Sequence, residues 1–427
     1  MENTKKNVPE IRFPGFTDPW EQRKLEEVTQ SIKNGYNYKS DGNRNYTYKI
    51  TRIETISSGN INLDRLGSSD TVNPYYLLKD GDILFSHINS LPYIGNTAIY
   101  TNDLGPLYHG MNLLNIRANN EIIDPFFLLY VLKNERSRNW FRMTAKPAVN
   151  QASIPVSDLS EFILYIPNIE EQRRISSLLI KLDEAITLHQ RKCDEFKIYK
   201  NGLLQQMFPQ PGEAFPRVRF PGFTDPWEQR KFSQVFTGLQ NNTLSRADLN
   251  YESGTIKNVH YGDILINFGE YIDVSLTNIP FITDESKAEK YSKSFLKDGD
   301  IVIADTAEDE TVGKCTEICG SSNNFVLAGL HTIPCRPIEK YGSKYLGYYM
   351  NSPSYHDQLI PLMQGIKVTS ISKTALQDTM LSFPKTIAEQ TMIGAFISNI
   401  DSIITLHQRK CDELKIYKKG LLQKMFV

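Results

Sequence analysis

Two segments of this chain occur twice, letter for letter. RFPGFTDPWEQRK spans Arg12–Lys24 and returns as Arg219–Lys231, and ITLHQRKCDE spans Ile186–Glu195 and returns as Ile404–Glu413. Identical openings and closings around interiors that differ greatly leave little freedom in architecture. The chain must hold two modules of one design, each free to contact something different. Fainter agreement inside the modules supports this: LLKDGDILFS from Leu77 matches FLKDGDIVIA from Phe295, and YIGNTAIY from Tyr93 matches TVGKCTEI from Thr311, at one constant offset. After those matched strands the sequences part, SHINSLPY after Phe85 facing ADTAEDET after Ile303. Loops that diverge on a retained framework are where differing ligands are usually read.

Punctuation divides the 427 residues into five blocks: 1–167, 168–208, 209–217, 218–383 and 384–427. Blocks one and four are mixed, with short strand candidates such as ILFSHI from Ile83 and LLNIRA from Leu113 between turn signals. A helix is predicted at about Asp124–Asn139, with Pro125 in a good first-turn position. Blocks two and five are helical. Ile175, Leu182, His189, Phe196 and Leu203 recur every seventh residue, as do Ile393, Ile400, His407, Leu414 and Leu421. Second lines four residues later carry Leu179, Ile186, Cys193 and Met207, then Ile397, Ile404, Cys411 and Met425, with Lys200 interrupting the first. Both helices therefore share one coiled-coil register. Between the modules, PQPGEAFPR, Pro209–Arg217, predicts a stiff linker. The fold class expected is α/β, with mixed α+β modules.

Charge and composition bound the function. A net charge of −1 argues against indiscriminate polyanion binding, so any nucleic-acid surface must be local or shared with a partner. Five cysteines, with no amino-terminal apolar stretch, are expected to be reduced thiols of a cytoplasmic protein. No run approaches the ~18 apolar residues that cross a bilayer, so no membrane role is expected.

Within the first module, KNGYNYKSDGNRNYTYK (Lys33–Lys49) interleaves Lys33, Lys39 and Arg44 with Asn34, Tyr36 and Tyr46. Cations hold phosphates and Asn pairs with adenine edges, so these residues are candidates for DNA contact. A solvated, tyrosine-rich surface loop is the alternative. The comparable stretch from Gln240 offers Asn241, Asn242, Arg246 and Lys257. The divergent loops add His87 and Asn89 in one half, Thr306 and Lys314 in the other. A further set precedes each long helix: Arg142, Lys146, Asn150 and Gln151, and then Gln364, Lys367 and Thr369.

Catalytic motifs are weighed and set aside. NPYY at Asn73–Tyr76 is one residue from an amino-methyltransferase motif, but lacks a glycine-rich cofactor loop and reads as a turn. A Walker lysine loop is missing from the sequence. Glu285-Ser286-Lys287 lacks the upstream acidic partner of nuclease motifs. The Asp80-Gly81-Asp82 and Asp298-Gly299-Asp300 triplets read as tight turns rather than metal ligands. Cys315, Cys319, Cys335 and His331 are loosely zinc-like, yet the first module has no matching set. Trp20 and Trp227 read as core anchors.

The order of variable module and long helix, twice over, with QASIPVSDLSEFILYIPNIEEQRRI at Gln151–Ile175 and TSISKTALQDTMLSFPKTIAEQTMI at Thr369–Ile393, resembles the DNA specificity subunit of type I restriction-modification systems. The resemblance covers nearly the whole chain. It implies two tandem target recognition domains, each reading half of a split double-stranded DNA site. Two long antiparallel coiled-coil helices would join them with pseudo-twofold symmetry. It implies no catalysis by this chain. Two modification subunits would bind S-adenosylmethionine and methylate adenine, and restriction subunits would use ATP and Mg to translocate and cut. One departure stands out: the family's Gly-x-x-Gln-x-x-Ile loop reads AVNQASI from Ala148, and IKVTSI from Ile366 lacks the Gln. A two-module protein-binding adaptor and a methyltransferase built on Asn73–Tyr76 are the competing readings. His189 and His407, polar at apolar seam positions near the helix midpoints, are expected either as tolerated seam residues or as a pin of helix register.

Overall fold

The computed structural model describes residues 7–38, 46–149 and 151–427. They form two compact units, residues 1–189 with 409–427, and residues 190–408. These units cut across the five sequence blocks. Each long helix, Ile169–Gln206 and Ile387–Lys424, contributes one half to each unit. The reason is burial: an amphipathic helix face needs a partner, and each module finds it in the returning end of the other helix.

In the first unit a four-stranded sheet has the order Thr29–Asn34, Leu114–Ala118, Ile83–Phe85, Thr97–Ile99, with antiparallel pairing throughout. A smaller sheet has the order Gly67–Ser69, Tyr48–Ile50, Leu107–Tyr108, its strands interleaved in the chain with those of the larger one. The repeated segment supplies Glu21–Lys24, which pairs with Ile163–Ile166 just before the long helix. The predicted helix at 124–139 is two helices, Pro125–Lys133 and Glu135–Thr144. Asn134 breaks and caps them, accepting from the Arg136 amide and donating to the Leu422 carbonyl. Trp20 is buried against Phe127 and Phe426, and Leu421 and Met425 join Ile175, Leu179 and Leu182 in the same core.

The second unit repeats the plan with a five-stranded sheet, Phe236–Gly238, Thr332–Pro337, Ile301–Ala304, Cys315–Cys319, Tyr271–Asp273; only the last pair is parallel. Glu228–Lys231 pairs with Met380–Phe383. Trp227 packs on Phe208 and Tyr345, in a core completed by Leu203, Met207, Ile393, Ile397 and Ile400. Both tryptophans are thus the core anchors expected. Within residues 209–217 the Ala214 carbonyl accepts from the Trp227 amide, and the flanking Val218 amide donates to the Gln206 carbonyl.

Polar constellations recur at matched positions and explain why the opening segment is repeated. Arg12 grips Glu171 through two bonds of 2.7 and 2.8 Å, and Arg219 grips Glu389 at 2.6 and 2.9 Å. Each ties RFPGF to the first turn of a long helix. The following glutamines turn inward, Gln172 donating to the Pro167 carbonyl and Gln390 to that of Pro384. Asp82 and Asp300 are buried and held by Arg117 and Arg336, with Gly81 and Gly299 at positive φ of 83° and 89° in the turns, as read from sequence.

Along the seam the helical stretches run antiparallel in each unit. Ile175, Leu182, Leu203, Ile393, Ile400 and Leu421 are buried, while Phe196 and Leu414 are partly so. In the first unit the Cys411 thiol meets the Ile186 carbonyl; in the second the Cys193 thiol lies 3.5 Å from the Gln408 side chain. His407 stacks on Phe196 within the second unit, while His189 belongs to the first. The lysine that interrupts the heptad pattern is built in. Lys200 binds both Glu270 and Asp401 at 2.7 Å, and Lys418 binds Asp183. Tyr348 and Tyr130 donate to those same aspartates. Burial alone would lower the Lys200 ammonium; Glu270 and Asp401 hold it above its ordinary value instead.

Candidate nucleic-acid interface

Strand register brings the divergent loops of each module to one end of its main sheet. In the first unit Asn34 and Phe85 both align with Leu114, so the chain leaves toward Tyr36 and toward His87 at the end where it enters from Asn112. In the second unit the pairings Gly238 with Cys335, Ala304 with Thr332, and Ile303 with Cys315 place Asn241, Asp305, His331 and Lys314 at the corresponding end.

A hairpin ahead of each long helix joins that end. Lys146–Ala148 pairs with Gln151–Ser153, which pairs in turn with Ile88–Asn89. The Ile154 amide donates to the His87 carbonyl. This unites Asn89, Lys146 and Gln151, residues far apart in sequence. The counterpart pairs Thr306–Ala307 with Thr369–Ser370, while Gln364 and Ser370 exchange backbone bonds and Lys367 stands exposed at the tip.

Polar side chains line these edges. Asn89 donates to Ser86, and Lys146 is exposed beside Asp158 at 2.9 Å. The Lys33 ammonium lies over the exposed Tyr75 ring, 4.6 Å from its centre. Tyr36 packs between Tyr38 and Tyr76, beside a cavity of about 260 Å³ that Asn112 also lines. Tyr36 sits there because Gly35 passes so close to Gly110 that a Cβ would meet its carbonyl at 1.9 Å. Tyr46 is part-exposed nearby in sequence.

Several expected contacts have structural employment instead. Asn242 is fully buried, bonded to Asn258 and to the Leu244 amide, so it is corrected to a core residue. Arg246 is bidentate to buried Asp263, both bonds at 2.8 Å. Lys257 donates to the Val274 carbonyl and Lys314 to that of Leu265, where burial lowers its pKa. Asn241 donates to the Gly329 carbonyl, and Arg142 to Glu135 and Asn139 on its own helix. His87 is buried, and burial pushes its imidazole down to about 4, so it is neutral at pH 7. Lys39, Arg44 and Asn150 lie outside the described residues. Sequence reasoning missed Tyr75, which it saw only as part of a turn. Asn112 and His331, the latter read in the sequence only as part of a loosely zinc-like set, hold positive φ of 67° and 54° at matched places; nothing in residue order announces that conformation.

Asn73 caps the turn Pro74–Tyr76, Lys287 pairs with Asp248, and burial pushes the Cys319 thiol up to about 12. No helix among the described residues is long and apolar enough to cross a membrane.

Residues 17–197 and 224–415 each match the type I restriction modification DNA specificity domain. The chain belongs to that family. The specificity subunit is the DNA-sequence recognition component of a type I restriction-modification complex, and catalysis resides on its partner subunits. Among relatives, a candidate type I restriction enzyme MjaX specificity subunit of Methanocaldococcus jannaschii is 28% identical, covering 97% of this chain and 95% of the relative. The MjaVIII specificity subunit of the same organism is 22% identical over 73% of this chain and 71% of its own. A crystal structure of the type I restriction-modification S subunit from M. genitalium shares the fold, with a TM-score of 0.62 at 14% identity over 98% of this chain and 99% of that one. A chain from a study of type I complex assembly and conformational transition gives 0.52 at 18% identity, covering 98% and 99%.

Proposed function

We propose that this specificity subunit reads a split duplex site, one half per module, with the paired helices acting as the spacer in a pseudo-twofold arrangement. The observation that carries this reading is the contrast within each unit: matched scaffolds end, at the same edge of the main sheet, in polar loops that share almost no residues. Asn89, Lys146, Gln151, Lys33 and Tyr36 would serve one half-site, and Thr306, Gln364, Lys367 and Thr369 the other. Phosphate contacts by the lysines would fix position, while amides and hydroxyls meet base edges.

Two modification subunits fit this plan. Just beyond the identical helical segments, exposed apolar residues recur at matched positions, Ile198 and Tyr199 in the second unit, Ile416 and Tyr417 in the first. Duplicated contacts suit two copies of one partner. S-adenosylmethionine, ATP and Mg would be held by partner subunits in the cytoplasm.

The test is methylome sequencing of a host expressing this chain with its modification partner. Two short specific elements separated by a fixed gap are expected. Removing one heptad from both helices shortens each by about 10 Å and should change the gap by a small whole number of base pairs. A contiguous site, or an unaltered gap in a folded deletion variant, sinks the reading.

A further inference from the structure

The turn before Thr332–Pro337 carries a residue where glycine would be at ease. His331 has φ of 54°, a left-handed conformation that side chains seldom adopt, and its counterpart Asn112 has φ of 67°. The two modules agree on the strained position and disagree on the side chain. Each side chain offers ring or amide groups for hydrogen bonds.

Around His331 the geometry is specific. Its carbonyl accepts from the Asp305 amide at 3.1 Å, and the Asp305 carbonyl accepts from the Ile371 amide at 2.9 Å. Three segments, the turn, the divergent loop after Ala304 and the hairpin before the long helix, are thereby fastened at one point. His331 Nδ1 lies 3.4 Å from Asp305 Oδ1, and the Tyr261 ring meets the imidazole edge-on at 5.3 Å between centres. Thr306 donates to the same Asp305 oxygen at 2.8 Å. The His331 side chain is about half exposed, 48% against 26% for Asp305. Nδ1 faces the Asp305 carboxylate, so Nε2 is the ring nitrogen left for a ligand, and it accepts in the tautomer that carries its proton on Nδ1.

We propose that His331 is a base-reading residue of the second module, its Nε2 accepting from an exocyclic amine of adenine or cytosine in the DNA groove, with Asp305 as the positioning residue that sets the ring. The inference rests on the DNA-reading assignment above and names one determinant within it. Glycine tolerates the backbone, so His331→Gly removes the ring without strain. In the full chain with its modification partner, this variant should melt no lower than the parent. Methylome sequencing should show one base position of one half-site relaxed, with discrimination there reduced about tenfold or more. The other half-site and the gap should be unchanged. Asp305→Asn should relax the same position less. Methylation that falls equally at all sites, with every base preference intact, would assign His331 to phosphate or scaffold and overturn the proposal. So would an unchanged methylome. If the parent itself shows no split pattern, the DNA-reading assignment fails first and takes this inference with it.

Discussion

The two modules differ least where they are buried and most where their sheets end. Glu171 and Glu389 receive the same arginine, Asp183 and Asp401 the same lysine and tyrosine, and Trp20 and Trp227 sit in equivalent cores. At the sheet ends, His87 faces Asp305 in the alignment, Asn112 faces His331, and the Lys33–Tyr75 pair has no like partner in the second module's residues near Asn241. Repetition therefore marks what holds the modules together, and divergence marks the loops proposed to read DNA.

The largest effect should come from breaking a repeated buried pair. Arg219→Ala leaves Glu389, whose side chain is 2% exposed, without its cation, at a cost of about 3 kcal/mol. Hydrogen exchange should show the loss in the second unit, and Arg12→Ala should place it in the first. Losses spread evenly over both units in either variant would break the comparison.

A smaller effect separates the cores. Lys133 in the first unit is half-buried, donates to the Gly59 carbonyl, and is pushed down to about 8 by desolvation and by Lys418. Its counterpart is Asn351, whose amide serves the Cys315 and Gly347 carbonyls. Below pH 8 the folded state carries a desolvated charge. The folded pKa is below the ordinary 10.5, so stability should rise as pH climbs between those values. Lys133→Met should stabilise the first unit by about 2 kcal/mol at pH 7 and flatten that rise. A steeper or unaltered profile in denaturant titrations would contradict the assignment.

The smallest effects should come from exposed cations. Lys33→Ala and Lys146→Ala should each weaken binding to all sequences alike and lower the salt slope by about one. A residue whose removal leaves the slope in place is not at the phosphates.

Much of this was legible in the sequence because repetition and periodicity are written in residue order. The helix read at 168–208 is Ile169–Gln206, and its seam residues Ile175, Leu179, Leu182, Cys193 and Leu203 are buried, with Ile186 and Phe196 partly so. The DGD turns followed from residue type alone. What was illegible depends on the tertiary partner. Arg246 looks like a free cation until Asp263 folds against it, and Asn242 looks like a polar loop residue until Asn258 buries it. The unit boundaries were hidden too, because repeats mark junctions along the chain, whereas burial follows the antiparallel return of the helices.

The most direct test of the central claim is to make the modules alike. Residues 25–162 lie between the paired strands Glu21–Lys24 and Ile163–Ile166, and residues 232–379 lie between their counterparts Glu228–Lys231 and Met380–Phe383. A chain carrying 232–379 in both places, expressed with its modification partner, should methylate an inverted repeat of one half-site with the parental gap. Methylation that kept the parental asymmetric site would contradict the account.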